Sequence, residues 1–314
     1  MKVVLLDDFH PLINETLLKW GFEVIDGRGF KSTDLLSVEN LDGIFIRSSI
    51  PLNKSILSQL VSLKFIARPG AGLENIDIEY CKEANISVFR SPEGNRDALA
   101  EHTMGMILSL INNINTSNIE VRDGIWLRED NRGIELKGKV FAIIGYGYMG
   151  EALAKRLKGF DVKVVAYDKY KTNFSSKYVE EVSMDFIYKN ADFVSLHTPL
   201  TPETKDLVNK SFINNFIKPF FLINTARGHS VKIADLIEAL ESQKIIGACL
   251  DVLEFESTSF EKFTFADDLI FKSLVKFNNV LLTPHIAGWT KESKEKMALH
   301  ILRKVKTKFG MKFL

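Results

Sequence analysis

The sequence contains only two cysteines, and they stand far apart. Cys81 and Cys249 form no C-x-x-C pattern, which argues against a disulfide framework and against a zinc site, so no metal ion is expected. Cys249 lies in the apolar run 245–250 and is predicted to be a buried thiol. Chemistry based on paired cysteines is therefore not indicated.

Long apolar runs and an excess of one charge are also lacking. The first apolar run ends after four residues, and no stretch of about 18 apolar residues occurs, so neither a signal peptide nor a membrane-spanning helix is predicted. The 41 lysine and arginine residues nearly balance the 40 aspartate and glutamate residues, which does not favour nucleic acid or a membrane surface as a partner. We expect a cytoplasmic protein.

Short apolar segments alternate with helix-like segments throughout the 314 residues, a length that is comfortable for two domains. This alternation predicts α/β domains with parallel strands. The first half has predicted strands at 3–6, 22–25, 43–46, 64–67 and 86–89, and the second half has them at 140–144, 192–196, 220–223, 245–250 and 280–282, with one more that ends at Asp168.

A glycine-rich turn follows the apolar strand Val140–Ile144 and resembles a dinucleotide-binding motif. Gly145 permits a tight turn, Gly147 lets the backbone approach a pyrophosphate, and Gly150 lets the following helix pack closely on the strand. Asp168 lies 18 residues after Gly150, where a carboxylate can bind a ribose and repel a 2′-phosphate. The motif predicts NAD rather than NADP, and the alternative is a purely structural turn.

Two strand ends in the first half carry unusual residues. Arg47 follows one predicted strand, and the turn formed by Gly70, Ala71 and Gly72 follows another. Ligands bind beyond the carboxyl ends of strands in open α/β sheets, so Arg47 is a candidate ligand contact and the turn's free amides are candidate donors to a carboxylate. The alternative is that both turns are simple connections.

The passage 92–96 is rich in helix breakers and precedes a long helical pattern with an apolar stripe from Leu99 to Ile114. We interpret this region as a crossing between domains and the stripe as core or subunit interface. His102, inside the pattern, is predicted to be a hydrogen-bonded structural histidine rather than a catalytic one.

Polar signatures follow four predicted strands of the second half, at 197–201, 224–228, 251–256 and 283–288. A doubly wound sheet brings these strand ends to one edge, so we expect them to converge on a cofactor site. Farther on, 291–308 is predicted as an amphipathic helix that packs on the first domain. The irregular connection 257–278 either covers the site or only decorates it.

Three residues of these signatures suit hydride transfer at an alcohol carbon. His285 would exchange the hydroxyl proton, because an imidazole both accepts and donates near neutrality. Glu256 would orient the imidazole and stabilise its protonated form. Arg227 would bind a substrate carboxylate and polarise the 2-oxygen, a geometry that the planar guanidinium favours.

With these motifs the chain resembles the D-isomer-specific 2-hydroxyacid dehydrogenases, over about 47–288. The segment 224–228 matches the family pattern N-[TS]-[AS]-R-G, 251–256 matches D-V-x-x-x-E, and 283–287 matches T-P-H-[IL]-[GA]. The resemblance implies that Arg227, Glu256 and His285 are catalytic. It also implies a cofactor, NAD, and a small-molecule substrate.

Further site residues are expected from the motifs and the resemblance together. Expected cofactor contacts are Gly145, Gly147, Tyr148, Met149, Gly150, Asp168, Thr198, Thr225, Ala226, Asp251 and Gly288, with Asp251 at the nicotinamide amide. Expected substrate contacts are Arg47, Gly70, Ala71, Gly72, Asn95 and Arg128.

The family's split topology implies two doubly wound parallel-sheet domains. A Rossmann NAD-binding domain, 95–288, would be inserted in a flavodoxin-like substrate domain made of 1–94 and 289–314. The long helix after Asn95 would help to form a homodimer.

Within the family, the segments 45–48, 68–72 and 123–128 are most similar to those of 3-phosphoglycerate dehydrogenases. Extra arginines suit a substrate with phosphate and carboxylate groups, although Arg47 and Arg128 also suit structural salt bridges. Only 29 residues follow His285, so no C-terminal regulatory domain is expected. One alternative is an enzyme that reduces glyoxylate, hydroxypyruvate or another 2-keto acid. Another is a catalytically silent, NAD-binding redox sensor.

Four positions depart from the family pattern. Ser257 replaces a usual proline after Glu256, and Tyr148 with Met149 replaces the commoner Arg-Ile, which removes one positive contact to pyrophosphate. Trp289 stands where a small residue is common and is expected to narrow the substrate pocket.

Overall fold

The computed structural model describes residues 1–256 and 266–310, which form two compact units. The first unit comprises Met1–Arg96 and the segment that begins at Trp289, and the second comprises the described residues between Asp97 and Gly288. Ser257 and most of the first half of the connection 257–278 lie outside the described residues.

The described residues form strands and helices that alternate along the chain. The strands are β1 (Lys2–Leu5), β2 (Glu23–Asp26), β3 (Leu41–Phe45), β4 (Phe65–Arg68), β5 (Ser87–Arg90), β6 (Val140–Ile144), β7 (Lys163–Tyr167), β8 (Glu180–Glu181), β9 (Phe193–Leu196), β10 (Phe220–Asn224), β11 (Ile245–Leu250) and β12 (Val280–Leu282). The helices are α1 (Leu12–Lys19), α2 (Lys54–Leu57), α3 (Ile78–Glu83), α4 (Pro92–Ile111), α5 (Ile114–Arg122), α6 (Tyr148–Leu157), α7 (Met184–Asn190), α8 (Lys210–Asn214), α9 (Ile233–Glu241), α10 (Leu269–Leu274) and α11 (Lys291–Phe309).

The first unit is built on a parallel sheet with the order β2-β1-β3-β4-β5, which is the flavodoxin-like order. Its central strands β1, β3 and β4 are mostly apolar and mostly buried, as expected for a parallel sheet that is covered on both faces. Helix α11 packs Ala298, Ile301, Leu302 and Val305 on one of these faces, as predicted. The predicted strands are confirmed, with ends that shift by at most two residues.

The second unit has a parallel sheet with the order β12-β11-β10-β9-β6-β7-β8. Read from β8, this is the Rossmann order with one additional strand. The chain passes from one side of β6 to the other, so the switch point of the sheet lies between β6 and β9. The predicted fold class, two parallel-sheet α/β domains, is confirmed, whereas the two-residue edge strand β8 was not predicted.

The predicted breaker passage 92–96 is wrong, because it forms the first turns of α4. Pro92 is the first helical residue, where its missing N–H removes no hydrogen bond. At Gly94 a Cβ atom would lie 2.4 Å from the backbone nitrogen of Met297, so only glycine allows this approach of α4 to α11.

The apolar stripe ends earlier than predicted. Leu99, Met106, Ile107 and Ile111 are buried on α4, but Ile114 is exposed and belongs to α5. Asn113 interrupts the helix with a left-handed backbone, φ 52°. Within the described residues, no helix is both long enough and apolar enough to cross a membrane.

Candidate active site

The glycine turn between β6 and α6 has two glycines that no other residue can replace without movement. A Cβ atom on Gly145, whose φ is +91°, would lie 2.8 Å from the carbonyl oxygen of His197. A Cβ atom on Gly150 would lie 2.5 Å from the carbonyl oxygen of Gly145, which reflects the close packing of α6 on β6. Gly147 faces open space instead. The turn is thus tight on one side and accessible on the other, as a phosphate-binding turn requires.

The carboxylate of Asp168 is fixed beside this turn. One of its oxygens accepts the N–H of Tyr146 at 2.8 Å, and the other accepts the N–H groups of Tyr170 at 2.9 Å and Lys171 at 3.0 Å. Asp168 therefore ties the end of β7 to the glycine turn. A carboxylate has about four lone-pair sites, so these bonds are compatible with the predicted contact to a ribose.

Two buried polar atoms lie at the switch point between β6 and β9. Among the residues that the structure describes, neither Nδ1 of His197 nor Oγ1 of Thr198 has a hydrogen-bond partner. Nε2 of His197 contacts Oγ of Ser195 at 2.9 Å, and burial lowers the pKa of His197 to about 4, so this ring is neutral near pH 7. Buried polar atoms of this kind fit a polar ligand at the switch point. Sequence reasoning gave His197 no role, although it flagged 197–201.

A side-chain clamp shapes the turn after β10. The Oδ1 atom of Asn224 accepts the N–H of Ala226 at 3.1 Å, and its Nδ2 atom donates to the carbonyl of Arg227 at 2.9 Å. Gly228 follows, and a Cβ atom there would collide with the carbonyl of Leu253. Asn224 therefore fixes the backbone that carries Arg227, a role that the motif match had not assigned.

Asp251 is the buried anchor of the loop after β12. Its carboxylate accepts the hydroxyl of Thr283 at 2.6 Å and the N–H groups of Ile286 at 2.8 Å and Ala287 at 2.9 Å, while only 1% of the residue is exposed. His102 joins the network, with Nε2 3.1 Å from Oγ1 of Thr283. The predicted contact of Asp251 with a nicotinamide amide stays a prediction, whereas its support of the loop is visible.

The loop places His285 directly against Glu256. Nδ1 of His285 lies 2.7 Å from Oε2 of Glu256, and Oε1 of Glu256 accepts the N–H of Leu253 at 2.5 Å. His285 has a left-handed backbone, φ 56°, which its N–H stabilises by donating to the carbonyl of Asp251 at 2.8 Å. Because Nδ1 faces a carboxylate, the proton exchange predicted for His285 would use Nε2, and this catalytic role stays a prediction.

In the first unit, Arg47 and Arg68 lie at the carboxyl ends of neighbouring strands, β3 and β4. Nε of Arg68 donates to the carbonyl of Arg47 at 2.9 Å. The Oδ1 atom of Asn95 is buried and has no partner among the described residues, which suits a polar ligand. The substrate contacts predicted for Arg47 and Asn95 stay predictions.

The glycine turn of the first unit differs from the prediction. The N–H of Gly70 donates to Oγ of Ser91 at 3.2 Å, so it is not the free amide that was expected to bind a carboxylate. The φ of +150° at Gly70 explains the glycine. For Ala71 and Gly72 the substrate contact stays a prediction.

Arg128 lies in the second unit, within the exposed run 121–130. No hydrogen bond or ion pair links Arg128 to any described residue, so the structure does not connect it with Arg227, Glu256 or His285. The cofactor contacts predicted for Tyr148, Met149, Thr225 and Gly288 stay predictions.

In the described part of the chain, no group of three His, Cys, Asp or Glu side chains could hold a metal ion. Cys81 and Cys249 are buried and free, as predicted for Cys249.

Comparison with known proteins agrees with this geometry. Residues 104–287 match the family model of the D-isomer specific 2-hydroxyacid dehydrogenase, NAD binding domain. A hydroxypyruvate reductase from Thermotoga maritima is 33% identical over 274 residues, which cover 87% of each chain. A D-3-phosphoglycerate dehydrogenase from Bacillus subtilis is 34% identical over 301 residues, which cover 95% of this chain and 54% of the relative.

The fold comparison gives the same result. A crystal structure of D-lactate dehydrogenase with NAD+ from Lactobacillus jensenii superposes with a TM-score of 0.81 at 28% identity, covering 99% of this chain and 98% of the other.

Proposed function

This chain belongs to the D-isomer specific 2-hydroxyacid dehydrogenase family, and we propose that His285, Glu256 and Arg227 carry its reaction. The enzyme is an NAD-dependent oxidoreductase of 2-hydroxy acids and 2-keto acids. When NAD is bound, it supplies or accepts the hydride at C2 of the substrate. The observation that supports catalysis most directly is the His285–Glu256 contact of 2.7 Å.

His285 holds the proton that the substrate oxygen gains during reduction and loses during oxidation. Glu256 fixes the ring orientation from the Nδ1 side, and its own carboxylate is held by the N–H of Leu253. A positioned acid–base group of this kind contributes about 10²- to 10⁴-fold to a rate. The left-handed backbone of His285 is tolerated because the loop is anchored at Asp251.

Arg227 binds the substrate carboxylate and polarises the 2-oxygen. The clamp formed by Asn224 fixes its backbone, so the guanidinium starts from a fixed position. The glycine turn, Asp168 and Thr198 would hold NAD, and the backbone amides at the start of α6 would suit its pyrophosphate. The first unit serves as the substrate domain.

For the substrate we propose 3-phosphoglycerate and phosphohydroxypyruvate, the pair that opens serine biosynthesis. Arg47 and Arg68, at adjacent strand ends of the first unit, support a substrate with two negative groups. A second candidate is hydroxypyruvate reduction, because the Thermotoga maritima relative of that name matches over 87% of both chains.

An NADH oxidation screen distinguishes these candidates. Purified protein is assayed with phosphohydroxypyruvate, hydroxypyruvate, glyoxylate and pyruvate at equal concentrations. We expect the highest kcat/KM with phosphohydroxypyruvate. A higher value with hydroxypyruvate selects the second candidate, and no oxidation with any of the four contradicts the proposed reaction.

We also propose a cytoplasmic homodimer. The segment from α5 to residue 134 exposes seven large apolar side chains, which suits burial against a second copy. They are Ile114, Ile119, Val121, Ile125, Trp126, Leu127 and Ile134. Light scattering after size exclusion should give a dimer for the wild type and a monomer for Ile119→Glu; a wild-type monomer contradicts the proposal.

A further inference from the structure

Arg47 and Trp289 are far apart in the sequence but stack on each other at the carboxyl edge of the first sheet. The guanidinium carbon of Arg47 lies 4.2 Å from the centroid of the Trp289 ring, although 64% of Trp289 is exposed. This distance is well within the range of about 6 Å for a cation–π contact. The tryptophan therefore covers one face of the cation while it remains largely open to solvent.

We propose that Trp289 is a positioning residue for substrate selection, an inference that rests on the proposed function. Its ring holds the guanidinium of Arg47 so that the enzyme favours 2-keto acids with a second negative group at the end remote from the carbonyl. Trp289 acts through Arg47 and takes no part in proton or hydride transfer.

The backbone of Arg47 is already fixed on both sides. Its N–H donates to Oδ2 of Asp7 at 2.5 Å, and its carbonyl accepts Nε of Arg68 at 2.9 Å. Arg68 is itself buried, so this support does not depend on an exposed side chain. The long side chain of Arg47 carries about 2 kcal/mol of rotamer entropy. Contact with the indole reduces the part of this entropy that substrate binding must overcome.

Trp289 is held in turn by the start of α11. The Thr290 hydroxyl accepts the N–H of Ser293 at 3.0 Å, and the Ser293 hydroxyl accepts the N–H of Thr290 at 2.9 Å. One turn later, Nζ of Lys294 lies 2.5 Å from Oδ2 of Asp8, and this hydrogen bond lowers the pKa of the Asp8 carboxyl. The residue after the ring is therefore locked by a capping box, and the first turn of the helix is tied to the loop after β1.

Stacking on a ring uses the face of a guanidinium and not its in-plane N–H groups. Those N–H groups form the planar fork that matches a phosphate or carboxylate in two parallel hydrogen bonds. Two carboxylates of the loop after β1 make other contacts: Asp8 pairs with Lys294, and Asp7 accepts the Arg47 N–H and the Ser49 hydroxyl. A keto acid without the second negative group gains nothing from this arrangement, so the stack discriminates between substrates.

The test compares kcat/KM for phosphohydroxypyruvate and hydroxypyruvate, with NADH, in the wild type, Trp289→Leu and Trp289→Phe. Trp289→Leu should lower the value for phosphohydroxypyruvate by about 5- to 10-fold, the scale of one cation–π contact, through a higher KM at nearly unchanged kcat. The value for hydroxypyruvate should change by less than about 2-fold. Trp289→Phe should restore most of the preference because phenylalanine keeps an aromatic face.

Tyr80→Leu is the matched control. It removes another aromatic ring of the first unit that faces a cation, since Nζ of Lys54 lies 5.4 Å from the Tyr80 centroid. We expect its ratio of the two kcat/KM values to equal that of the wild type.

Two results would overturn the inference: an equal loss of both kcat/KM values in Trp289→Leu, or a wild type without preference for phosphohydroxypyruvate. A wild type that reduces no 2-keto acid contradicts the proposed function instead. In that case calorimetric titration of the NADH-bound protein with inorganic phosphate decides the inference. Weaker binding to Trp289→Leu than to the wild type supports it, and equal or absent binding contradicts it.

Discussion

The two parallel sheets use their carboxyl edges in opposite ways. At the edge of the seven-stranded sheet, the carboxylates of Asp168, Asp251 and Glu256 each accept backbone N–H groups and so fix loops. At the edge of the five-stranded sheet, the guanidinium groups of Arg47 and Arg68 are held by an aromatic face and a backbone carbonyl. The first arrangement fixes the loops that carry the proposed catalytic groups, and the second places positive charge where we propose that the substrate binds.

The strongest test of this difference compares His285→Ala with Arg47→Ala. Loss of the proton-exchanging imidazole should lower kcat by at least about 10²-fold, while NADH binding measured by fluorescence survives. Arg47→Ala should mainly raise KM for phosphohydroxypyruvate, because it contributes to binding. If Arg47→Ala lowers kcat as strongly as His285→Ala, the division between chemistry and recognition fails.

Asp251→Ala tests whether a carboxylate really fixes the catalytic loop. The substitution leaves the N–H groups of Ile286 and Ala287 without their acceptor, and a buried donor without a partner costs about 1–3 kcal/mol. The free energy of unfolding, measured with urea, should fall by at least that amount, and kcat should fall with it. Asp192→Ala, at the opposite end of the sheet, is the control for stability, because it also removes a carboxylate that accepts a backbone N–H, that of Val140. A loss of kcat equal to that of Asp251→Ala would show that the effect is general.

Asp168 combines two roles, and two substitutions separate them. Asp168→Asn keeps an oxygen for the N–H of Tyr146 but removes the charge, so kcat/KM with NADPH relative to NADH should rise by about tenfold, or about 1.4 kcal/mol. Asp168→Ala removes both the charge and the oxygen that accepts the N–H of Tyr146, so it should also raise KM for NADH. An unchanged ratio in both variants would show that the carboxylate only supports the turn.

His197 gives the stability of the protein a pH dependence with a definite sign. Its pKa is about 4 in the folded protein and 6.5 for an ordinary histidine, so the unfolded chain binds more protons between these values. The free energy of unfolding should therefore decrease as the pH falls from about 6.5 to 4, by up to about 1.4 kcal/mol per pH unit. His197→Gln should remove this part of the pH dependence of the free energy of unfolding, measured by urea titrations at a series of pH values. An identical slope in wild type and variant would contradict the assignment.

Sequence reasoning succeeded where a local pattern has one physical solution. The strand Val140–Ile144, the glycine turn after it and Asp168 can be predicted from residues that are close together in the sequence. The His285–Glu256 contact was predicted with the help of the family resemblance. Sequence reasoning failed at Gly94, where the reason for glycine is the backbone of Met297. A contact of that kind becomes visible only when the packing of two helices is known.

The same limit applies to the roles of polar side chains. The motif around Asp251 suggested a cofactor contact, but its hydrogen bonds to Thr283, Ile286 and Ala287 depend on the pairing of β11 with β12. The stack of Trp289 on Arg47 joins residues separated by most of the chain, so no periodicity could reveal it. Trp289 stood out only as an unusual residue.

The packing of α11 has a consequence for the order in which the protein folds during synthesis. Phe45 and Phe65 emerge from the ribosome before the second unit, but their partners Ile301 and Val305 emerge after it. The described residues of the second unit, by contrast, all lie between these two parts of the first unit in the sequence. We therefore expect the seven-stranded sheet to complete its core first, while the strands translated before it wait with an uncovered apolar face.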